Sequence, residues 1–404
     1  MARTKDIRIH GLDAVRGGAL LLRVVFHAAF SFFPGDQVWI VVDSARSETV
    51  SGPAFVVHIF RMTIFFMLAG YFARMQTYRL GTLKFTTDRL KRIGAPLLIF
   101  WVPMMVCFTA LAIWSLVKAN GGTMPENPPP PPPLTWQTFP LTHLWFLYVL
   151  LLFYGIALSF TTVLSWLGLK DAIGRAADAA LRPVSKIGLL PILLSAPVAL
   201  AFVLESAWHP FFGIPSPDQG FIPNRIAMVS YGIAFSVGWV MQRDLDHLRY
   251  ATRPWPMFLI AAILATGYCL TAVGLEVRYV QPLPKFASIA YPIFYAFAVW
   301  FWTFGLIGLG LKVWGRESKI RRYIADSSYW LYIIHLPIVM ALQIWMSDWA
   351  WSAELKFVAI LAISIPLMLL SYEFFVRYTF VGALLNGRKR RRVSAPENEV
   401  TNAQ

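Results

Sequence analysis

Residues 21–30 read LLRVVFHAAF, and in this otherwise lipid-soluble stretch Arg23 and His27 stand four residues apart. A central arginine in a membrane helix costs about 3 kcal/mol even on a forgiving insertion scale, so a chain that keeps one has a use for it. The surrounding composition fixes the solvent. Of 404 residues, 57% are hydrophobic and only 14% charged, with a mean hydropathy of +0.57, values that set the chain apart from soluble globular domains. A bilayer core about 30 Å thick takes roughly 20 apolar residues per helical crossing. Ten such runs are present, at residues 14–34, 51–73, 94–117, 142–167, 187–206, 224–242, 255–275, 287–312, 328–347 and 352–377. They predict an all-α polytopic membrane protein of about ten transmembrane helices, with one membrane domain over residues 1–380 and a basic, disordered cytoplasmic tail over 381–404.

Basic residues collect on the cytoplasmic side of membrane proteins, and they alternate here. Arg3, Lys5 and Arg8 precede the first run, and Arg74, Arg79, Lys84, Arg89, Lys91 and Arg92 join the second to the third. Lys170, Arg175, Arg182 and Lys186, then Arg243, Arg249 and Arg253, then Lys312, Arg316, Lys319, Arg321 and Arg322 follow in alternate connections, and GRKRRR ends the series. The intervening loops are acidic or nearly neutral. Both termini are therefore expected in the cytoplasm. The net charge of +15 sits where topology puts it, without a nucleic-acid motif, which argues against nucleic acid as a partner. Cys107 and Cys269 lie within runs and read as packing residues, and no metal-ligand spacing occurs. Six consecutive prolines, Pro128 to Pro133, form a stiff external spacer.

On a helix, Arg16, Arg23 and His27 fall within about 40° of one another, a polar stripe that must face protein or water. The second run carries the same residue types in the opposite direction. His58 and Arg61 lie at about the depths of His27 and Arg23, roughly 10 and 15 Å below the outer end. If the two helices are neighbours, four ionisable groups converge in one cavity opening outward. His335, in YWLYIIHLP, and His143, at the outer mouth of the fourth run, complete the set. Each also has a plainer reading, His335 as a hydrogen bond between helices and His143 as an interfacial anchor beside Trp145. Trp39, Trp136, Trp145, Trp208 and Trp349 can stack on sugar faces or serve as the ordinary interfacial belt.

The stretch GLDAVRGGALLLRVVFH resembles the first span of the acyltransferase-three family of membrane O-acyltransferases, in which an arginine and a histidine, here Arg16 and His27, are separated by ten residues. FRMTIFFMLAGYF is similar to the family's second-span motif of two phenylalanines followed by Ser-Gly, matched by Phe65, Phe66 and Gly70, with Ala69 in place of the serine. RLKRIGAPLLIFWVP, HLWFLYVLLLFY and YIIHLP resemble, more narrowly, the branch of the family assigned to succinylation of periplasmic glucans. The resemblance covers residues 8 to about 380.

The resemblance implies a multi-pass protein of the bacterial inner membrane that takes an acyl group from a cytoplasmic acyl-coenzyme A, succinyl-coenzyme A being favoured and acetyl-coenzyme A the alternative, and passes it to hydroxyls of a periplasmic glucan. Arg16, Asp13, Arg89, Arg92 and His335 then bind the donor, although a cytoplasmic basic cluster looks the same in a protein without one. His143, Trp145, Phe65 and Phe66 bind the acceptor. His27, which can be neutral near pH 7, deprotonates the acceptor hydroxyl or carries the acyl group covalently. Arg23 or Arg61, with His58 nearby, stabilises the oxyanion. A transporter using the buried His/Arg groups as an anion or proton path is the competing class.

Overall fold

The computed structural model describes residues 10–387 apart from residues 38, 129, 131, 132, 206, 207, 281 and 282. Arg3, Lys5, Arg8, part of the proline run and the basic tail from residue 388 lie outside the described residues. Fourteen α-helices account for the described architecture: α1 His10–Ala29, α2 Glu48–Leu80, α3 Thr82–Arg89, α4 Ala95–Ala119, α5 Trp145–Trp166, α6 Lys170–Lys186, α7 Leu190–Leu204, α8 Arg225–Met241, α9 Leu245–Thr252, α10 Trp255–Val273, α11 Lys285–Val313, α12 Lys319–Met346, α13 Ala353–Ser371 and α14 Phe380–Asn386. Five-residue π-helical turns, Leu90–Gly94 and Tyr372–Val376, join α3 to α4 and extend α13. The helix α14 is ordered and buries Leu385, so folded structure runs past residue 380, where the tail was expected to begin.

Helices fall on all ten apolar runs, and eight are long and apolar enough to cross a bilayer. The fifth and sixth runs fall short. The helix α7 has 15 residues and meets the amphipathic α6 at 109°, and α8 has 17 residues. At 1.5 Å per residue such helices span only about 22 to 26 Å. The four inner helices α1, α2, α11 and α12 bury 56–72% of their apolar windows, whereas α10, α13, α5 and the α3–α4 unit bury 11–33%. The inner four thus form the core, and the rest present apolar side chains outward.

Close crossing of α2 and α8 explains the Gly70 of the second-span pattern. A Cβ at Gly70 would overlap the carbonyl of Phe235, and one at Gly238 would overlap the carbonyl of Met67. Only residues without side chains permit this backbone approach.

Alternate connections gather at two ends of the bundle. At one end the amphipathic α6 docks through Asp178, which accepts from Arg243 Nε and Nη2 at 2.9 Å each, and lies 3.1 Å from His247 Nε2. Arg243 holds this carboxyl below the ordinary carboxylate range. At the other end the loop after α1 is pinned to the start of α13. Lys356, fully buried, places Nζ 2.8 and 3.0 Å from the two oxygens of the buried Asp43 and 3.2 Å from the Ser347 carbonyl. Removing one partner of such a pair leaves an uncompensated buried charge, at a cost of roughly 3 to 5 kcal/mol. Lys356→Met alone is therefore expected to lower the unfolding midpoint in detergent sharply, and the Asp43→Leu/Lys356→Met pair to recover most of the loss. Equal or additive losses in the double variant would show that the pairing does not set the stability.

Candidate active site

The polar stripe of α1 finds its counterpart on α12. The Arg23 guanidinium carbon lies 4.8 Å from the Tyr332 ring centre, and the His27 ring centre lies 5.2 Å from that of His335. Arg23 and His27 are one turn apart on their helix, as are Tyr332 and His335 on theirs, so the two pairs meet at matching levels. A third imidazole, His143, stands 5.5 Å from His335. It belongs to the short 3₁₀ turn Thr142–Leu144 that leads into α5.

The sequence HLP at residues 335–337 dictates this third contact. Pro337 has no N–H to offer the carbonyl of Ile333, four residues earlier, and that carbonyl would be stranded in an apolar interior. His143 Nε2 occupies the position, 2.8 Å from the Ile333 oxygen. The Tyr332 hydroxyl in turn donates to the His143 carbonyl at 2.7 Å. Because carbonyls only accept, these contacts fix the tautomers. His143 carries its proton on Nε2 and leaves Nδ1 as a lone pair. His335, with Nδ1 2.7 Å from the Tyr332 carbonyl, leaves Nε2 as a lone pair. Neither of these bare nitrogens has a hydrogen-bond partner among the described residues.

His58 and Arg61 do not join this cluster. Phe26 separates them from it: the His58 ring stacks on Phe26 at 4.8 Å, and the Arg61 guanidinium carbon lies 3.4 Å from the centre of the same ring. The helices are neighbours as expected. Consecutive residues on α1 point about 100° apart, however, so Phe26 faces α2 while His27 faces α12. The expected four-group cavity opening outward is replaced by a three-imidazole cluster, with Arg61 behind Phe26.

A cavity of about 460 Å³ opens at the opposite, basic end and reaches inward as far as Arg23 and Tyr332. Five arginines line it, Arg16, Arg23, Arg89, Arg92 and Arg377, against the two aspartates Asp13 and Asp326. Both π-helical turns border it, at Ile93 and Tyr372, in keeping with the frequent placement of such turns at functional sites. Of the residues assigned to a donor, Asp13, Arg16, Arg89 and Arg92 line this cavity. His335 does not, being in the imidazole cluster.

The residues assigned to an acceptor are dispersed. Phe65 lines the basic cavity, whereas Phe66 and Trp145 are buried core residues packed 6.2 Å apart and against Tyr231. None of the three stands at an outer opening. Trp145 is read beside His143 at an expected outer mouth and Phe65 and Phe66 from the second-span pattern, whereas packing between α2, α5 and α8 takes up Phe66 and Trp145. Trp39 does cover the site from the end opposite the basic cavity, with its ring centre 5.9 Å from that of His27. Gln343, buried on α12, holds the arrangement together: Nε2 donates to the carbonyls of His27 and Ala28 at 2.9 and 3.2 Å, and Oε1 accepts from Trp39 Nε1 at 2.9 Å. These are end carbonyls of α1, which lack partners within their own helix. Tyr332, Phe26 and Gln343 escaped the sequence reading. Tyr332 was accessible from its spacing three before His335, but nothing in the sequence pairs Gln343 with α1.

An arginine-lined cavity beside hydrogen-bond-oriented imidazoles has the charge and the proton acceptors that proton transfer on an anionic substrate requires. The model of the acyltransferase-three family, described as an acyltransferase domain, matches residues 9–373. The chain belongs to this family of acyltransferases, and its apolar helices make it a multi-pass membrane enzyme. Among its relatives, the glucans biosynthesis protein C of Salmonella schwarzengrund (strain CVM19633) is 21% identical over 383 residues, covering 94% of this chain and 95% of the relative. That of Escherichia coli (strain K12) is 22% identical over 398 residues, covering 96% and 98%. No solved structure matches the chain.

The Pro337 argument is testable. His143→Phe should destabilise the protein by about 1 to 3 kcal/mol by stranding the Ile333 carbonyl. In the His143→Phe/Pro337→Ala variant, the backbone N–H restored at position 337 can bond that carbonyl within the helix. Thermal unfolding in detergent should therefore show the double variant more stable than His143→Phe alone, and the reverse order would remove the explanation.

Proposed function

We propose that this enzyme transfers an acyl group, succinyl in preference to acetyl, from an acyl-coenzyme A held in the basic cavity to a hydroxyl of a periplasmic glucan, with His27 as the base. The observation that carries the reading is the cationic cavity ending at Arg23, one helical turn from His27. Phosphates of the donor would meet Arg16, Arg89 and Arg92 at the cavity mouth. The thioester would lie level with Arg23, facing the imidazoles. As the acceptor oxygen attacks the thioester carbon, His27 takes the hydroxyl proton, and the oxyanion forms in the positive field of Arg23 and Arg61. Collapse breaks the carbon–sulfur bond, and the proton on His27 passes to the departing thiolate, leaving an ester and free coenzyme A. The glucan acceptor is taken from the names of the relatives.

This reading requires the basic end to face the cytoplasm of a bacterial inner membrane, with ten crossings and both termini inside. The alternation of basic connections supports that topology, with α7 and α8 crossing a locally thinned or polar-lined region.

Release of free coenzyme A by purified protein in detergent tests the reaction without a sealed membrane. Glucan-dependent thiol release that falls by roughly 10²- to 10⁴-fold in His27→Ala is the expected result. A folded wild-type protein that releases no thiol with any donor or glucan would favour a transport role for the buried cluster.

A further inference from the structure

We propose that Arg23 binds a carboxylate at the far end of the donor's acyl group, and so selects dicarboxylic acyl groups over uncharged ones of similar size. The proposal rests on the donor-cavity reading above and adds the side chain that distinguishes between donors.

The cavity's arginines are not equivalent. Arg16 pairs with Asp13 at 3.3 Å, Arg89 and Arg92 both pair with Asp88, and Arg377 pairs with Glu373 at 2.7 Å. Arg23 is different. Among the described residues no carboxylate lies within ion-pair distance of it. Its guanidinium is surrounded by the rings of Tyr332, Phe146 and Trp145, at 4.8, 5.9 and 6.0 Å. The residue is 3% exposed, and its Nε has no hydrogen-bond partner among the described residues.

Aromatic faces offset only part of the cost of a desolvated cation, and a planar guanidinium is completed best by a carboxylate in bidentate contact. Position tells what that carboxylate belongs to. Arg23 is about 10 Å along α1 from Arg16 at the cavity mouth and about 6 Å from His27. A donor whose phosphates lie at the mouth would bring its acyl end to Arg23. The four mouth arginines already carry counter-charges and can exchange them for phosphate, while Arg23 adds a demand for negative charge at the acyl end itself. A purely electrostatic role on the oxyanion would serve every acyl group alike. A carboxylate contact would serve only acyl groups that carry one.

Binding and turnover separate these roles. Non-hydrolysable carba analogues of succinyl- and acetyl-coenzyme A, and free coenzyme A, would be titrated into purified wild type, Arg23→Gln and Arg23→Lys in detergent. Wild type is expected to bind the succinyl analogue about 10- to 100-fold more tightly than the acetyl analogue. Arg23→Gln should lose that preference while binding free coenzyme A as wild type does, and Arg23→Lys, which keeps the charge without the fork, should retain part of it. Thiol release with the two true donors should show the same change in the kcat/KM ratio. Equal wild-type affinity for the two analogues, or the same proportional loss of both donors in Arg23→Gln, would overturn the carboxylate role and leave the acyltransferase reading standing. Failure of wild type to bind free coenzyme A or either analogue would instead reject the donor cavity, and the proposal with it.

Discussion

An ionisable side chain carried into an apolar interior has to be given partners there, and the partners that α1 finds for Arg23 and His27 set the rest of this structure. The neighbour that answers both is α12, whose Tyr332 and His335 repeat the one-turn spacing of α1. Pro337 then exposes a carbonyl on α12, His143 covers it, and the start of α5 is fixed in consequence. Gln343, two turns beyond His335, completes the attachment by capping the end of α1. The stability of α12 against α1 and the geometry of the imidazoles are thus one problem with one set of contacts.

Much of this was legible in the sequence, though unevenly. Hydrophobic runs located ten of the helices, eight of them long and apolar enough to cross a bilayer, because both lipid exposure and burial among helices demand apolar side chains. The stripe of Arg16, Arg23 and His27 emerged from helical periodicity, and Arg16, Arg89, Arg92 and Asp13 do gather at the basic cavity. What periodicity cannot supply is which helix a face meets. Matching depth made α2 look like the partner of the stripe, yet at the level of His27 the residue turned toward α2 is Phe26, which receives both His58 and Arg61. Aromatic side chains misled in the same way. Phe66 and Trp145 carry as much apolar area as a sugar platform needs, and that same area makes them core residues wherever helices close around them.

The two ends of the molecule are built differently, and the difference bears on function. The basic end is held by ion pairs within or between helix ends, such as Arg377 with Glu373 and Arg243 with Asp178, and leaves an open cavity among them. At the opposite end a desolvated pair, Asp43 with Lys356, anchors the loop that brings Trp39 over His27. The crevice beside Trp39, Phe30 and Arg46 has no room for a water molecule. On that side Trp39 covers His27, held by its hydrogen bond to Gln343 and by packing against Phe30. The Asp43–Lys356 pair fastens the same loop four residues further along the chain.

That asymmetry also bears on how the proposed substrates would approach. Arg23 and Tyr332 mark the inner limit of the cavity, and the three clustered imidazoles do not line it. A donor with its phosphates among the cavity's remaining arginines would therefore meet Arg23 before His27 and present only its acyl end there. From the other side, the acceptor proposed above would need Trp39 displaced to reach His27. In the proposed reaction the two substrates would meet at His27 from opposite ends of the bundle, and only the acyl group would change sides. His335 and His143, each oriented by a hydrogen bond to a backbone carbonyl, are the groups that would hold the imidazole cluster in place as either substrate arrives.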